Sequence, residues 1–439
     1  TILNIPIRIR DIKRSKYLSI LTGDISIMAN RVLKAYKFRI YPTIEQQSKL
    51  NQTFGCARVL WNQLTANFNA YGTSEYIPKL NEKMIKEDDR FLWMADVSAA
   101  ALQQKRIDFE ETKRQFFSKK RKTRIGRMKF KKKTDRQSYR LPTQKFNLNQ
   151  YDNTIRLEKI GHVSCVIDRN IPNDADHRFV SVSKTPTGKY FVSISVKINI
   201  DLLPMTGKHI GIDVGLQDLF NLSNGDKVSN PRWFRESQSR LVREQKHLSR
   251  KKKGSNRHEK QRIKVAKIHE KIANQRKHFI HNITAALVRE FDVICVEDLN
   301  IASLKKTLNL GKSVSDAGWT MFISQLDYKS EWYGKSFVKV DQFFPSSQIC
   351  SSCGHNNGKK SLHIREWTCS SCNEHHDRDL NAANNILIQG YSDLTGLSFD
   401  KSSAELVDYK RGEDVRLSEN IDSHLATSVN RLNRSKDLL

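Results

Sequence analysis

Cys369-Ser370-Ser371-Cys372-Asn373-Glu374-His375-His376-Asp377-Arg378-Asp379-Leu380-Asn381-Ala382-Ala383 is the stretch that decides the reading of this chain. It joins the second of two CxxC pairs to an acidic, asparagine-rich helix start. The first pair is Cys350 and Cys353, and fifteen residues lie between the pairs. That spacing falls in the window of a structural four-cysteine zinc ribbon. Four cysteines already fill a tetrahedral site, so His375 and His376 read as bystanders. A plain structural ribbon with no further role is the bland alternative.

Upstream, two short apolar segments each end in an acid. They are Lys208-His209-Ile210-Gly211-Ile212-Asp213-Val214-Gly215 and Phe291-Asp292-Val293-Ile294-Cys295-Val296-Glu297-Asp298. Phe337-Val338-Lys339-Val340 is a third strand. A buried strand that delivers a carboxylate to its C-terminal tip places it at the mouth of a sheet, where ligands bind. Asp213 alone could be a strand-end cap, and Glu297 alone says less. Asp213, Glu297 and Asp379 in order, with the ribbon between the last two, are a stronger signal. Converging carboxylates repel, and one must protonate unless cations sit between them. Hard oxygen ligands favour Mg²⁺ or Mn²⁺. Two such ions about 4 Å apart serve phosphodiester cleavage.

The charge balance points the same way. The chain has 439 residues, with 76 Lys and Arg against 47 Asp and Glu, a net charge of +29. Self-repulsion of that size calls for a polyanionic partner, and nucleic acid is the obvious one. Fifteen residues from Lys119 to Lys133 hold ten basic side chains and no acid: Lys119, Lys120, Arg121, Lys122, Arg124, Arg127, Lys129, Lys131, Lys132 and Lys133. Phe130 lies inside this run, and Phe116 and Phe117 just before it, which favours RNA contact over a solvated loop or a localisation patch. Arg250, Lys251, Lys252 and Lys253 form a second basic group in a basic helical stretch, and a merely solvated face is the alternative there. No run of eighteen apolar residues exists, and no signal peptide is visible. Cys56, Cys165 and Cys295 sit among apolar neighbours and read as buried free thiols.

The remaining pattern sets the organisation. A strand over 32–41 stops at Pro42, and Thr43 with Gln46 makes a capping box for the helix that follows. Helical spacing runs over about 44–118. Strands return over 150–200, with a hairpin turning at Thr185-Pro186-Thr187-Gly188-Lys189. A long helical stretch covers about 234–290, broken near Gly254. Met28 is expected to be the natural start, with residues 1–27 an extension; the tail over 416–439 is expected to be disordered.

In combination, Gly211-Ile212-Asp213-Val214-Gly215-Leu216, Val296-Glu297-Asp298-Leu299-Asn300, Pro345-Ser346-Ser347-Gln348-Ile349-Cys350-Ser351-Ser352-Cys353-Gly354-His355 and Asp377-Arg378-Asp379-Leu380-Asn381-Ala382-Ala383 resemble the TnpB (OrfB) nucleases of bacterial insertion sequences, relatives of type V CRISPR effectors. The resemblance spans roughly 28–415. It implies an α/β protein with an RNase H-like (RuvC) nuclease domain over 206–415, carrying the ribbon as an insertion over about 346–376. It further implies a wedge β-barrel over 28–205 with a helical insertion over about 44–118. Asp213, Glu297 and Asp379 would be the catalytic acids and magnesium ligands, and Cys350, Cys353, Cys369 and Cys372 the ligands of one zinc. Asp379 is preferred to Asp377 because it lies two residues before Asn381. The implied activity is RNA-guided DNA cleavage beside a short flanking motif, with a guide RNA from the transposon end and double-stranded DNA as partners. An RNA-guided repressor and a transposase are the alternatives. A cytoplasmic, nucleoid-associated protein is expected, and monomer and dimer both stay open.

Overall fold

The computed structural model describes residues 30–71, 81–118, 128–215, 217–299, 318–361 and 363–396. The expectations for residues 1–27 and 416–439, and for the basic side chains from Lys119 to Arg127, lie outside the described residues. The chain divides into two compact units. One is Arg31–Asn199 with His247–Lys267, and the other is Ile200–Lys246 with the chain from Ile268 onward.

The first unit is a curled sheet with helices. Strand β1 (Asn30–Tyr41) buries Val32, Tyr36, Phe38 and Ile40, the even positions of an alternating strand. Helix α1 (Ile44–Tyr71) follows at once. Its capping box closes as the sequence requires: the Thr43 N–H donates to Gln46 Oε1 at 3.0 Å, and the Gln46 N–H to Thr43 Oγ1 at 3.3 Å. Helix α2 (Glu82–Lys86) and helix α3 (Ala99–Phe117), capped by Ser98, complete a helical layer. Its core joins Cys56, Leu60, Trp61, Leu64 and Phe68 of α1 to Leu102 and Phe109 of α3. Strands β2 (Gln137–Pro142), β3 (Phe146–Asn149), β4 (Thr154–Leu157), β5 (Gly161–Val166), β6 (Asp176–Lys184) and β7 (Tyr190–Ile200) join β1 in the order β2-β6-β7-β1-β5-β4-β3. The two edge strands are consecutive in the chain, joined by the single turn Thr143–Lys145. The sheet therefore curls nearly back onto itself.

The second unit is a five-stranded sheet between helices. Strands β8 (His209–Val214), β9 (Asp218–Leu222) and β10 (Lys227–Ser229) form an antiparallel meander. Helix α4 (Trp233–Ser249) leads to the 35-residue helix α5 (Asn256–Glu290), with the expected break at Gly254. Then come β11 (Val293–Glu297), helix α6 (Trp319–Tyr333) and β12 (Ser336–Val340). The sheet order is β10-β9-β8-β11-β12, with β8, β11 and β12 parallel. Period-2 alternation sorts the faces. Ile210, Ile212, Ile294 and Val296 pack on Phe279, Ile283 and Leu287 of α5 and Phe322 of α6. Val293 and Cys295 pack with Val340 on the other face, against Ile386 and Leu394 of helix α7 (Arg378–Thr395). A two-stranded hairpin, β13 (Glu366–Thr368) and β14 (His375–Asp377), precedes α7 directly.

The buried carboxylate of Asp292 fixes the starts of the three parallel strands. It pairs with Lys335 at 2.5 Å and accepts the backbone N–H groups of Thr206 and Gly207 at 2.9 and 2.7 Å. Both charged side chains are fully enclosed, and these hydrogen bonds, with that of Lys335 to the Pro204 carbonyl at 2.6 Å, offset the cost of drying the pair.

Candidate functional site

The same alternation aims two acids at α7. Gly211 and Asp213 share one face of β8; Val293, Cys295 and Glu297 share the matching face of β11. The strands run side by side with Ile212 opposite Val296, so Asp213 and Glu297 stand together one step further on, at the C-terminal tips. Gly211 lets α7 come close: a Cβ there would lie 2.1 Å from the Ala383 carbonyl oxygen. Gly390, about two turns beyond Ala383 on the same helix, repeats the approach, where a Cβ would lie 2.5 Å from Cys295 Sγ. Seated so, α7 brings Asp379 of its first turn to the strand tips. Asp213, Glu297 and Asp379 line one cleft of about 490 Å³, together with Gly215, Phe343, Arg365 and Arg378.

The electrostatics are those of crowded anions. Burial, and then the charge of Asp379, pushes the Asp213 carboxyl up to about 7, against the pull of Arg378. Burial, and then Asp213, pushes Glu297 up to about 7 as well. Arg365 faces Asp379 at 3.3 Å and reaches the Gln217 side chain at 3.4 Å. Such a cleft has an unmet demand for positive charge.

Asp377 does something else. It caps α7, accepting the N–H groups of Asp379 at 2.9 Å and Leu380 at 3.1 Å, and pairs with Lys227 at 2.7 Å. It does not line the cleft. Asp377→Ala should therefore cost about 1 kcal/mol of helix capping and leave cleavage within about tenfold of the parent, because a half-exposed ion pair contributes little. Asp379→Ala should lose cleavage altogether. Single-turnover rates of the two variants check this, and a more damaging Asp377→Ala would transfer the role to that residue.

The four cysteines converge. Their sulfurs all lie within 4.8 Å of one another, with Cys350–Cys372 at 3.7 Å and Cys353–Cys369 at 3.6 Å. Two matching turns hold them: the Gly354 N–H donates to the Cys350 carbonyl at 2.9 Å, and the Asn373 N–H to the Cys369 carbonyl at 3.0 Å. Gly354 and Asn373 both take positive φ, 76° and 57°. A tetrahedral ion with Zn–S bonds of about 2.3 Å separates its sulfurs by about 3.8 Å, so the donor set fits zinc. His376 stands closer than its reading as a bystander implied. Its Nε2 is 3.0 Å from Cys350 Sγ, and its ring packs on Trp367. It acts beside the cysteines as a buried neighbour of one sulfur.

The ribbon is also less independent than an insertion suggests. It supplies Arg365 to the cleft, and α7 grips its base: Asn381 and Asn385 donate to the Ile349 carbonyl at 2.8 and 2.7 Å, and the Ser351 N–H donates to Asn381. Nothing in the sequence marks Arg365, one of 76 basic residues, as a partner of Asp379. Cys369→Ser should release zinc, leave the five-stranded sheet folded, and lose cleavage because Arg365 and the start of α7 are no longer held. Elemental analysis and a cleavage assay check this. About one zinc per parent chain is expected, and full activity without zinc would refute the link.

The described candidates for nucleic-acid contact, Lys129 to Lys133 and Arg250 to Lys253, lie in the first unit. Lys129, Lys132 and Lys133 are exposed, as are Arg250, Lys252 and Lys253, while Lys251 is half-buried. Lys131 departs from its expected place among the solvent-facing contacts. It lies over the Trp61 ring at 3.7 Å, half-buried, and Asn62 clamps its backbone N–H and carbonyl at 2.8 and 3.0 Å. Cys56, Cys165 and Cys295 are buried free thiols. No helix among the described residues is long and apolar enough to cross a membrane.

Comparison with known proteins places the chain. A family profile described as "Probable transposase" (OrfB_IS605) matches residues 193–308, "Cas12f1-like, TNB domain" matches 319–386, and "Helix-turn-helix domain" matches 28–72. The described part of that last segment is a strand and one continuous helix. A "Putative RNA-guided DNA endonuclease" of Streptomyces pristinaespiralis is 36% identical over 370 residues, covering 83% of this chain and 90% of that protein. Escherichia coli (strain K12) "Putative RNA-guided DNA endonuclease InsQ" is 29% identical over 384 residues, covering 82% and 93%. The chain in "Cryo-EM structure of the Cas12f1-sgRNA-target DNA complex" aligns over 81% of this chain and 99% of its own, at 14% identity and a TM-score of 0.44. This chain belongs to the OrfB (TnpB) family of insertion-sequence proteins.

Proposed function

We propose that the protein is an RNA-guided DNA endonuclease whose phosphodiester hydrolysis depends on divalent metal, with Asp213, Glu297 and Asp379 as its catalytic acids. The observation that carries it is the meeting of these three carboxylates in one cleft, at two neighbouring strand tips and a helix start. The names borne by its relatives support the guided activity. The sheet order, a three-strand meander followed by two parallel strands, supports an RNase H-like, RuvC-type reading of the second unit. The curled sheet with its helical layer suits the wedge domain of the first.

Mg²⁺ or Mn²⁺ held by the three acids would supply charge neutralisation at the phosphate and activation of water. The acids themselves bind and orient. Arg365 holds Asp379 in place and offers a guanidinium to phosphate oxygens. Zinc at Cys350, Cys353, Cys369 and Cys372 would hold the ribbon and, through it, Arg365. The exposed basic side chains of the first unit would contact guide RNA, whose pairing with the target supplies sequence specificity.

Purified ribonucleoprotein, incubated with a matching target duplex with and without Mg²⁺, separates the readings. Cut ends that require Mg²⁺ support the nuclease, a shifted but uncut band would mean a repressor, and joined products a transposase. The pH profile adds a sign. Both raised carboxyls must ionise to hold a cation, so cleavage at limiting Mg²⁺ should climb between about pH 6 and 8, and saturating Mg²⁺ should move the rise to lower pH. Metal-free protein should lose stability as pH rises from about 4 to 7, because the unfolded acids release protons first. A cleavage profile that stays flat between about pH 6 and 8 at limiting Mg²⁺ would contradict the assignment.

A further inference from the structure

Phe343 is a large apolar side chain that the fold turns outward at the acidic cleft. It is 82% exposed, yet lines the cleft with the three acids. The loop after β12 holds it there. The Phe343 N–H donates to Asp341 Oδ1 at 2.8 Å, and the Phe344 N–H to the Asp341 carbonyl at 3.0 Å. Phe344 turns the other way and packs on the core beneath α7. Asn385 then fixes the loop's far end by donating to the Ser346 carbonyl at 2.8 Å. Of two adjacent phenylalanines, one anchors the loop and the other is presented on a braced turn.

Exposing a full aromatic ring to water is unfavourable, and folding has not hidden it although its neighbour is half-buried. The surroundings identify an occupant. Arg365 sits in the same cleft and complements a phosphate backbone; a flat aromatic face beside it complements a base. From this geometry we infer that Phe343 is a stacking platform for an unpaired nucleobase of the DNA strand being cut, setting the phosphate that enters the acidic cleft. This deepens the nuclease reading and rests on it. A duplex base is already stacked on both sides, so the platform serves single-stranded DNA, and any base suits it because every base has a π-face.

The test is a scan with single abasic nucleotides along the strand around the cut, using ribonucleoprotein of the parent, Phe343→Ala, Phe343→Leu and Phe343→Trp. Loss of one base–aromatic stack corresponds to roughly 5- to 150-fold. One position beside the cut should lose about tenfold or more in the parent. There, Phe343→Ala should be slow on intact DNA and lose less than about twofold further when the base is removed. Phe343→Trp should match the parent, and Phe343→Leu, which keeps the apolar bulk without the ring, should match Phe343→Ala. Additive losses at every position, or a fully active Phe343→Leu, would overturn the inference. The second readout is 2-aminopurine at each position of the same strand, bound to Asp213→Ala ribonucleoprotein. Quenching at one position that Phe343→Ala relieves is expected. Quenching unaffected by Phe343→Ala, or absent, overturns the platform. If the parent cuts nothing, the nuclease reading fails, and the fluorescence alone decides whether the ring stacks a base.

Discussion

Asp213→Ala should abolish cleavage, by on the order of a thousandfold or more, while guide and target binding stay nearly unchanged. The variant removes a carboxylate from the centre of the acidic cleft and no basic contact to nucleic acid. Its fold should survive. The parent carboxyl is held up to about 7 by burial and by Asp379, so near neutral pH its loss relieves a strained group in metal-free protein. Glu297 should then lose its largest electrostatic neighbour and titrate lower. Gel-shift affinity, thermal unfolding and single-turnover cleavage measured on one preparation separate these effects. Cleavage within about tenfold of the parent would remove Asp213 from the active site.

Gly211→Ala should damage both fold and function with a single added methyl. Its Cβ would lie 2.1 Å from the Ala383 carbonyl oxygen and 2.7 Å from the Leu387 nitrogen, both backbone atoms of α7. A side chain could rotate away; a helix backbone cannot. Helix α7 must lift from β8, at a cost of about 3 kcal/mol or more, the upper range for overpacking. Asp379 rides on the first turn of that helix. Displacement on the order of 1 Å can cost about a hundredfold in rate, so cleavage should fall by at least that much. Gly225→Ala is the control. Gly225 has φ 95° but nothing within 4 Å of an added Cβ, so only backbone strain is expected, on the order of 1–3 kcal/mol, with little effect on cleavage. Calorimetry and cleavage rates check both variants; a Gly211→Ala protein as stable and active as the parent would refute the close seating of α7.

How far the sequence carries depends on the range of the forces involved. The strands that hold Asp213 and Glu297 are legible because full burial leaves a near-continuous apolar run, and an acid at its end stands out. The Thr43–Gln46 box and the Gly254 break are local chemistry, readable within four residues. Strand β10 has only three residues, and β9, as long as β11, has Asp218 and Asn221 interrupting its apolar residues, so no periodicity announces them. Their antiparallel meander emerges only from pairing with β8. The pairing of Arg365 with Asp379 depends on how the hairpin β13–β14 folds onto α7. Lys131 is charged and sits in a basic run, and its place over Trp61 follows from a contact 70 residues away along the chain. Ligand arithmetic counts bonds to a metal and so misses His376, whose Nε2 neighbours the Cys350 sulfur. Phe343 and Phe344 are the same residue type side by side, and only the turn at Asp341 separates their fates.

The most direct test is to count divalent ions in the acidic cleft by electron paramagnetic resonance, titrating Mn²⁺ into ribonucleoprotein of the parent and of Asp213→Asn/Glu297→Gln/Asp379→Asn. The substitutions keep shape and remove only charge, and zinc content serves as the internal control. The expected result is bound Mn²⁺ in the parent, its loss in the triple variant, and unchanged zinc in both. Equal Mn²⁺ binding by the two proteins would contradict a metal centre built on these three acids.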